Sequence, residues 1–380
     1  MINIIRKEDC CGCSACVQRC PKHCISMTED EEGFLYPIVN MDLCNNCKIC
    51  ESVCPIINKY PTKEIKSSFS AINQDETIRN LSSSGGVFTL LSQIIIDKGG
   101  VVFGACWNDK WEVEHEFTET YEGLSKFRGS KYLQSRIGNN YILVEQFLKE
   151  DRYVLFSGTP CQISGLKHFL KKDYDHLLCI DIVCHGVPSP SIWKQYLDEV
   201  CDKHKSTYQS IKTINFRDKS TGWNNYSFSI KANEWEYKEI AFRNPFMRGF
   251  LHDIINRPSC TKCPAKPFRS GSDITIGDFW GVDSILPNMN DGKGVSLVLV
   301  NNKKGMEFIK ELNAQEIPLQ KAIIKNPAIS QSSSASAKRD SFFSEGNKSV
   351  EKRIYQLCKT SFSQRIKNAL IRHLNFMFLL

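Results

Sequence analysis

Hydrophobic and polar residues repeat with two different periods along the middle of the chain. Short apolar runs rich in β-branched residues predict strands at Val101–Cys106, Tyr153–Ser157, Leu177–Val183, Ile274–Gly277 and Val295–Val300. Longer stretches, with apolar residues three and four apart, predict helices at Gly86–Asp97, Tyr141–Lys149, Ile163–Leu170 and Ser191–Cys201. Because strands and helices alternate, we expect an α/β domain in this part of the chain.

The patterning changes at both ends of this domain. Residues 1–60 show little regular hydrophobic periodicity, and they end at the polar segment 59–63, which contains a proline. Residues 330–380 begin with a serine-rich stretch and continue into a basic segment whose apolar residues approach helical spacing. We therefore predict an α+β protein with a small N-terminal module at 1–60, a larger α/β domain at 61–329, and a polar linker with a basic amphipathic helical tail at 330–380.

Charge and hydropathy limit the partners of the chain. The net charge of +7 is scattered and does not form a stripe interleaved with aromatic residues, so we expect no nucleic-acid binding. A redox partner protein, such as an acidic ferredoxin or a catalytic subunit, would suit this charge. No apolar run reaches the ~18–20 residues that span a bilayer, so we expect no transmembrane segment. The tail packs on protein or makes weak peripheral contact with a membrane.

Cysteine is the residue type that departs from ordinary composition. The chain has 18 cysteines, and ten of them precede Tyr60. Residues 1–10 contain no apolar segment that would direct secretion, which predicts a cytoplasmic protein. Thiols that stay reduced in the cytoplasm are more often metal ligands than disulfides.

Two copies of the spacing C-x2-C-x2-C-x3-C-P occur in the first 55 residues. This spacing is typical of two-cluster 4Fe-4S ferredoxins, in which the fourth cysteine of each copy binds the other cluster. The predicted ligand sets are Cys10, Cys13, Cys16 and Cys54, and Cys44, Cys47, Cys50 and Cys20. A pair of zinc knuckles is the alternative, but the third C-x2 step and the trailing prolines oppose it. Cys11 and Cys24 lie outside the spacing, and we expect them to be buried thiols.

Further candidate chemistry lies in the larger domain. The segment from Ser82 to Gly86 leads into a predicted helix, so its serines either cap that helix or help it bind an anion. Cys161 is predicted to begin another helix, where the helix dipole favours the thiolate. With Cys184 and the pair Cys260 and Cys263, it offers four thiols that suit a third 4Fe-4S cluster or a structural zinc.

Six motifs in this domain resemble one known family, the beta subunit of coenzyme F-420 hydrogenase/dehydrogenase, over about residues 66–326. The motifs begin at Ser83, Lys131, Gly158, Cys184, Cys260 and Asp273 and occur in the family's order. The resemblance implies an FAD protein with a cluster beside the flavin. It implies that the FAD phosphates contact Ser83, Ser84, Gly85 and Gly86, and that the residues facing the flavin are Lys131, Gln134 and Ser135. His185 would deliver a proton or, alternatively, fix the Cys184 loop; Asp278 would bind a flavin hydroxyl or cap a turn.

The predicted function combines these sites. We expect an iron–sulfur flavin-dependent oxidoreductase that relays electrons between 4Fe-4S clusters and FAD, to reduce or oxidise a substrate or coenzyme. A non-catalytic electron-transfer subunit of a larger redox complex is the alternative. A zinc-stapled binding protein without a redox role is a third, less favoured hypothesis.

Overall fold

The computed structural model describes residues 1–346 and 348–358, so the predicted helical tail beyond residue 358 lies outside the described residues. The strands are β1 (Ile25–Glu29), β2 (Leu35–Val39), β3 (Ser67–Ala71), β4 (Val101–Trp107), β5 (Val113–Thr118), β6 (Val154–Gly158), β7 (Leu177–Ile182), β8 (Ile211–Asp218), β9 (Ser227–Ala232), β10 (Glu236–Ile240), β11 (Ile274–Asp278), β12 (Ser296–Val300) and β13 (Ala314–Ile317). The α-helices are α1 (Ala15–Gln18), α2 (Ile49–Ser52), α3 (Glu76–Leu81), α4 (Val87–Asp97), α5 (Asn140–Lys149), α6 (Pro160–Leu170), α7 (Pro190–Lys203), α8 (Pro245–Leu251), α9 (Lys303–Lys310), α10 (Leu319–Ile323), α11 (Arg339–Ser344) and α12 (Val350–Leu357).

A mixed sheet of eight strands forms the centre of the larger region. Its order is β13-β3-β12-β11-β7-β6-β4-β5. The inner strands β4, β6, β7 and β11 are parallel, and the outer ones are antiparallel. Helix α4 packs on one face of the sheet, and α5 and α6 pack on the other. Because both faces are covered, the inner strands are almost wholly apolar. The strands and helices predicted here from periodicity are confirmed, with ends shifted by a few residues.

A second sheet, β10-β9-β8, is antiparallel and was not predicted from the sequence. Together with α7 and α8 it encloses an aromatic core that contains Trp193, Tyr196, Phe216, Phe228 and Phe246. The described part of the 330–380 region adds α12, which packs on α7 and α8. The mixed composition of helices and sheets agrees with the predicted α+β class.

The N-terminal 60 residues form the β1–β2 hairpin and two one-turn helices. In the hairpin, Ile25 pairs with Val39 and Glu29 pairs with Leu35. Helix α1 contacts α5 and α6 of the larger region. At this contact the Tyr141 amide donates to the Gln18 side chain over 3.0 Å. The cysteine-rich segment is therefore seated directly on the helices that cover the central sheet.

Candidate metal centres and flavin site

The two N-terminal cysteine loops have the same backbone shape. Gly12 and Asn46 occupy equivalent places between the first and second cysteines, and both have positive φ, 69° and 55°. Ser14 and Lys48 precede the third cysteine of each copy, and both are left-handed, with φ of 62° and 60°. Non-glycine residues adopt this conformation rarely. Its recurrence at matched positions shows that the sequence repeat is also a structural repeat.

One small pocket is lined by the first predicted ligand set, which is Cys10, Cys13, Cys16 and Cys54. Burial raises the pKa of Cys16, and repulsion from Cys10 and Cys54 adds to that rise. Burial likewise raises the pKa of Cys54, with Cys10 again contributing. The structure thus brings Cys54 of the second copy to the first loop, as the shared-cluster rule expects.

A second small pocket is lined by the other predicted set, Cys20, Cys44, Cys47 and Cys50, together with Cys24. The Cys24 sulfur lies 3.4 Å from that of Cys20. Burial and this neighbouring thiol raise the pKa of Cys24 to about 11. Cys24 is therefore a fifth thiol of this pocket, which its position outside the cysteine spacing did not reveal. Within the described ranges, no three Cys, His, Asp or Glu side chains converge on one metal-ion position.

The third predicted set is assembled from three separate segments. Cys161 lies in the first turn of α6, which begins with a capping box between Thr159 and Gln162. Cys184 follows β7, and the remaining two cysteines lie in and after the 3-10 turn Pro258–Lys262. Burial raises the pKa of Cys184 to about 12 and that of Cys263 to about 11, and Cys161 adds to both. Burial raises the pKa of Cys260, and Cys184 contributes. The four thiols therefore lie close together.

The first and third sets touch. The Cys11 thiol lies near both Cys13 and Cys161, since each of these thiols influences its raised pKa. One turn into α6, a Cβ atom on Gly165 would lie 2.8 Å from the Cys13 Cβ atom and 2.9 Å from its sulfur. Only glycine permits so close an approach of the helix backbone. Cys11, expected to be merely a buried thiol, thus lies between two ligand sets.

Arg257 fastens the N-terminal loop to the larger region and was not singled out by the sequence analysis. Its guanidinium donates to the Cys10 carbonyl over 2.8 Å, to the Leu35 carbonyl over 2.9 Å and to the Gln134 side chain over 2.8 Å. Gln134 also donates to the Cys11 carbonyl over 3.2 Å. The structure therefore places Gln134, expected to face the flavin, at the contact with the cysteine loop.

The segment expected to meet the FAD phosphates begins α4, which Gly86 caps with φ of 85°. Ser84 donates to the Val295 carbonyl over 2.7 Å, and Ser83 accepts from the Ser130 amide over 2.6 Å. Beside them, the Nδ2 atom of Asn73 is buried and has no partner in the described part of the chain. Its Cβ atom lies 3.0 Å from the place where a Gly86 Cβ would be. An unpartnered donor at a helix N-terminus fits a bound anion.

Buried polar residues line the approach to this corner. Lys131 donates to the Arg128 carbonyl over 3.1 Å, and burial lowers its pKa to about 8. Lys219 donates to the Ser84 carbonyl over 3.3 Å, and burial lowers its pKa to about 8 as well. Ser135 lies deeper and bonds the ring of His115 at 3.0 Å. Burial lowers the pKa of His115 to about 4, so this ring stays neutral.

Two further candidates have partners within the chain. The His185 Nε2 atom lies 2.9 Å from the Asp253 carboxylate, and its ring packs edge-on against Phe250. Asp278 pairs with the buried Arg217 over 2.6 Å and accepts from the Trp223 indole over 2.9 Å. Both Asp278 oxygens accept hydrogen bonds from Arg217, so a contact of Asp278 with a flavin hydroxyl stays a prediction.

Comparison with known proteins identifies a family that resembles this chain. Three cysteine sets beside a mixed α/β sheet define a class of cysteine-rich redox proteins. Residues 151–324 match the family model for the C terminus of the coenzyme F420 hydrogenase/dehydrogenase beta subunit. Residues 151–324 are therefore similar to this family, which agrees with the resemblance that the sequence motifs predicted. This family consists of oxidoreductase subunits, which agrees with the predicted redox class.

Individual relatives cover different parts of the chain. The F subunit of the F(420)H(2) dehydrogenase of Methanosarcina mazei is 26% identical over 48% of this chain, which spans only 57% of that relative. An uncharacterized protein of Methanocaldococcus jannaschii is 24% identical over 79% of this chain and 86% of its own. An uncharacterized ferredoxin of the same organism is 40% identical over 52 residues, which are 14% of this chain and 66% of the ferredoxin.

Among solved structures, a chain from the F420-reducing NiFe hydrogenase complex of Methanosarcina barkeri overlaps with a TM-score of 0.46 at 17% identity. The overlap covers 70% of this chain and 85% of that one. No helix within the described residues has the length and apolar character needed to cross a bilayer.

Proposed function

We propose that the chain is an iron–sulfur flavin-dependent oxidoreductase, with a two-cluster ferredoxin-type domain at 1–60 and an FAD and cluster domain at 61–329. The bound clusters would supply one-electron transfer, and FAD would exchange single electrons for electron pairs. The observation that carries the proposal is the contact between cysteine sets. Gly165 lets α6, which carries Cys161 in its first turn, lie against Cys13, and Cys11 lies near a thiol of the first set and one of the third.

The chain's own residues give each site its surroundings. The first set is shielded by α6 and by the packed side chains of Tyr141 and Phe169. The third set is half-buried, and this burial raises the pKa values of Cys260 and Cys263 until a metal neutralises the thiolates. His185, held between Asp253 and Phe250, is the candidate to hold or donate a proton near Cys184.

The start of α4 is the proposed FAD phosphate site. Free amide groups of the first helical turn, the unpartnered Asn73 and the nearby Lys219 all favour an anion. Gly85 has no room for a side chain, since a Cβ atom would lie 2.5 Å from the Ala71 carbonyl oxygen. Ser83 and Ser84 shape this turn through hydrogen bonds within the protein, and Lys131 and Ser135 lie toward the interior.

The names of the relatives suggest how the protein is used. They include a subunit of an F420H2 dehydrogenase. A redox partner protein or a redox coenzyme is accordingly the proposed counterpart, and a role as an electron-transfer subunit of a larger complex is the second candidate. Copurification of a stoichiometric catalytic partner from the native source would favour the second.

The first experiment is anaerobic purification followed by iron, sulfide, zinc and flavin analysis. Three clusters require about twelve irons per chain, and Cys260→Ser should lower this by about four. Cys358→Ser is the control, because Cys358 is buried against α8 and α7 and belongs to none of the three sets. About eight irons with one zinc per chain would replace the third cluster by a structural zinc.

A second variant separates flavin binding from iron binding. Gly85→Asp places a carboxylate against the proposed phosphates and should abolish FAD binding while the iron content stays unchanged. Gly99→Asp adds the same charge where a Cβ atom meets nothing within 4 Å, so flavin should be retained. Wild-type protein that takes up iron but no flavin under any reconstitution would refute the flavin part of the proposal.

A further inference from the structure

Two buried cations border the third cysteine set. Arg257 is 1% exposed and Lys266 is 8% exposed. Arg257 directly precedes the turn that carries Cys260, and its carbonyl accepts the Cys260 amide over 3.0 Å. The Lys266 ammonium donates to the Cys184 carbonyl, and to the Gln331 carbonyl over 2.8 Å. Each cation therefore holds the backbone of a segment that supplies a ligand.

Both cations bond only neutral oxygens. The guanidinium donates to two carbonyls and a side-chain amide, and the ammonium donates to two carbonyls. Across residues 1–346 and 348–358, neither forms an ion pair with a carboxylate. Two other buried arginines do find one, Arg79 with Asp291 and Arg217 with Asp278, whereas the buried Arg353 also bonds only neutral oxygens. A buried charge without an opposite charge is costly, so an anion is missing from the contacts of Arg257 and Lys266.

The four thiols of the third set are where that negative charge would form. The Lys266 ammonium donates to the Cys184 carbonyl, and the Lys266 amide donates to the Cys263 carbonyl over 3.3 Å. Arg257 lies three residues before Cys260, and its carbonyl accepts the Cys260 amide. The lysines of the N-terminal loops, Lys22 and Lys48, are instead exposed, where water and salt screen their charge. The third set thus shares the buried Arg257 with the first set, and Lys266 is the buried cation that contacts a segment of the third set itself, at Cys184.

We propose that Arg257 and Lys266 are the buried countercharges of the cluster held by Cys161, Cys184, Cys260 and Cys263, and that they raise its reduction potential above those of the N-terminal clusters. Reduction adds one negative charge to a cluster, and a nearby buried cation stabilises that charge more than water-screened cations do. This inference rests on the proposed third cluster. Arg257 also contacts the Cys10 loop, so Lys266 is the more selective probe.

The test is a redox titration of the full-length anaerobic protein, followed by electron paramagnetic resonance. The signal that disappears in Cys260→Ser identifies the third cluster. In the wild type its midpoint should be the highest of the three. Lys266→Met should make reduction about tenfold less favourable at a fixed potential, which for one electron is a fall of about 59 mV. Arg257→Gln should also lower it, and Lys266→Arg should stay close to the wild type.

Lys262→Met is the matched control. Lys262 lies between two of the ligands in sequence, but its side chain is 63% exposed and pairs with Glu8 over 3.3 Å. Removing this screened charge should leave the midpoint almost unchanged. An equal fall in Lys262→Met and Lys266→Met, or no fall in an iron-replete Lys266→Met, would overturn the inference.

Two outcomes separate this inference from the proposed function. If Cys260→Ser removes neither iron nor a signal, the third cluster itself is absent and the proposed function fails. If Lys266→Met cannot incorporate the third cluster, the Lys266→Arg variant distinguishes a countercharge role of Lys266 from a packing role. Incorporation at the wild-type potential supports the countercharge, whereas failure of both variants shows that Lys266 serves only the packing of its loop.

Discussion

The N-terminal 60 residues and the larger region are built around different interiors. The core cluster of the N-terminal region consists of Ile2, Cys16, Cys20, Cys24, Ile25 and Cys50. One core cluster of the larger region includes Leu91, Ile95, Val102, Leu155, Ile180 and Val298. A domain of about 60 residues buries too little apolar surface for more than marginal stability. The comparison therefore shows one region that hydrocarbon packing holds together and another whose core consists largely of cysteines, three of which are proposed metal ligands.

Removal of iron should break this comparison most strongly. Because metal binding and folding are coupled in small metal-binding modules, anaerobic chelation should unfold residues 1–60. Hydrogen exchange followed by mass spectrometry should then show loss of protection in the β1–β2 hairpin while β6 and β7 stay protected. Equal protection of both regions in iron-free protein would show that the N-terminal region folds without metal.

A single serine substitution in each interior should sharpen the contrast. Cys50 and Cys201 are both buried, at 8% and 3% exposure, but Cys201 packs in the aromatic core on α7. Cys50→Ser should cost about four irons per chain. Cys201→Ser should retain all iron and lower the free energy of unfolding by about 1–3 kcal/mol, because it buries a hydroxyl. Iron analysis and thermal unfolding measure both; full iron in Cys50→Ser would contradict the assignment.

The contact between the two regions is the next target. Gly165→Val places methyl groups where the Cys13 side chain lies, and overpacking of this kind costs about 1–3 kcal/mol. We expect faster proteolysis near residues 59–66 with little change in the melting of the larger region. Gly165→Ala should give a smaller effect in the same direction. Unchanged proteolysis in both variants would mean that α6 does not hold the cysteine loop.

The sequence predicted the parts of the structure that follow local rules. Periodicity located β4, β6, β7 and β12, and the cysteine spacing predicted that Cys54 joins the first loop. Periodicity did not predict the sheet formed by β8, β9 and β10. The pairing of β8 with β9 is irregular between Asn215 and Asp218, and this irregularity breaks the period-two pattern. Such irregular pairing depends on tertiary contacts with α7 and α8 more than on local sequence.

The sequence failed to reveal three site residues for a different reason. Cys24, Cys11 and Arg257 matter because of what lies beside them in space, and no spacing in the chain encodes those neighbours. Arg257 joins a carbonyl at residue 10 to a side chain at residue 134, so its role depends on three distant segments. Gln134 was placed near the flavin by resemblance, but the structure uses both ends of its amide at the cysteine loop.

The smallest effect concerns a carboxylate in the larger region, which has no counterpart in the N-terminal core. Asp181 is 3% exposed, and burial raises its pKa to about 6, although the nearby side chains of Ser270, Thr275 and Ser272 act to lower it. A raised pKa in the folded state means that the folded protein binds the proton more tightly than the unfolded chain. The contribution of Asp181 to the free energy of unfolding is therefore fully present below about pH 4 and is lost as the pH rises through about 6.

Asp181→Asn should remove this pH dependence. At pH 8 it should raise the free energy of unfolding of the larger region by about 1–3 kcal/mol, and the gain should vanish near pH 4, where the wild-type carboxyl is protonated in the folded state. Asp109→Asn, at an exposed position, should change stability little at either pH. Melting of both variants from pH 4 to 8 tests this. A gain independent of pH would show that the introduced asparagine improves packing, whereas a loss at pH 8 would show that the charged form of Asp181 stabilises the fold.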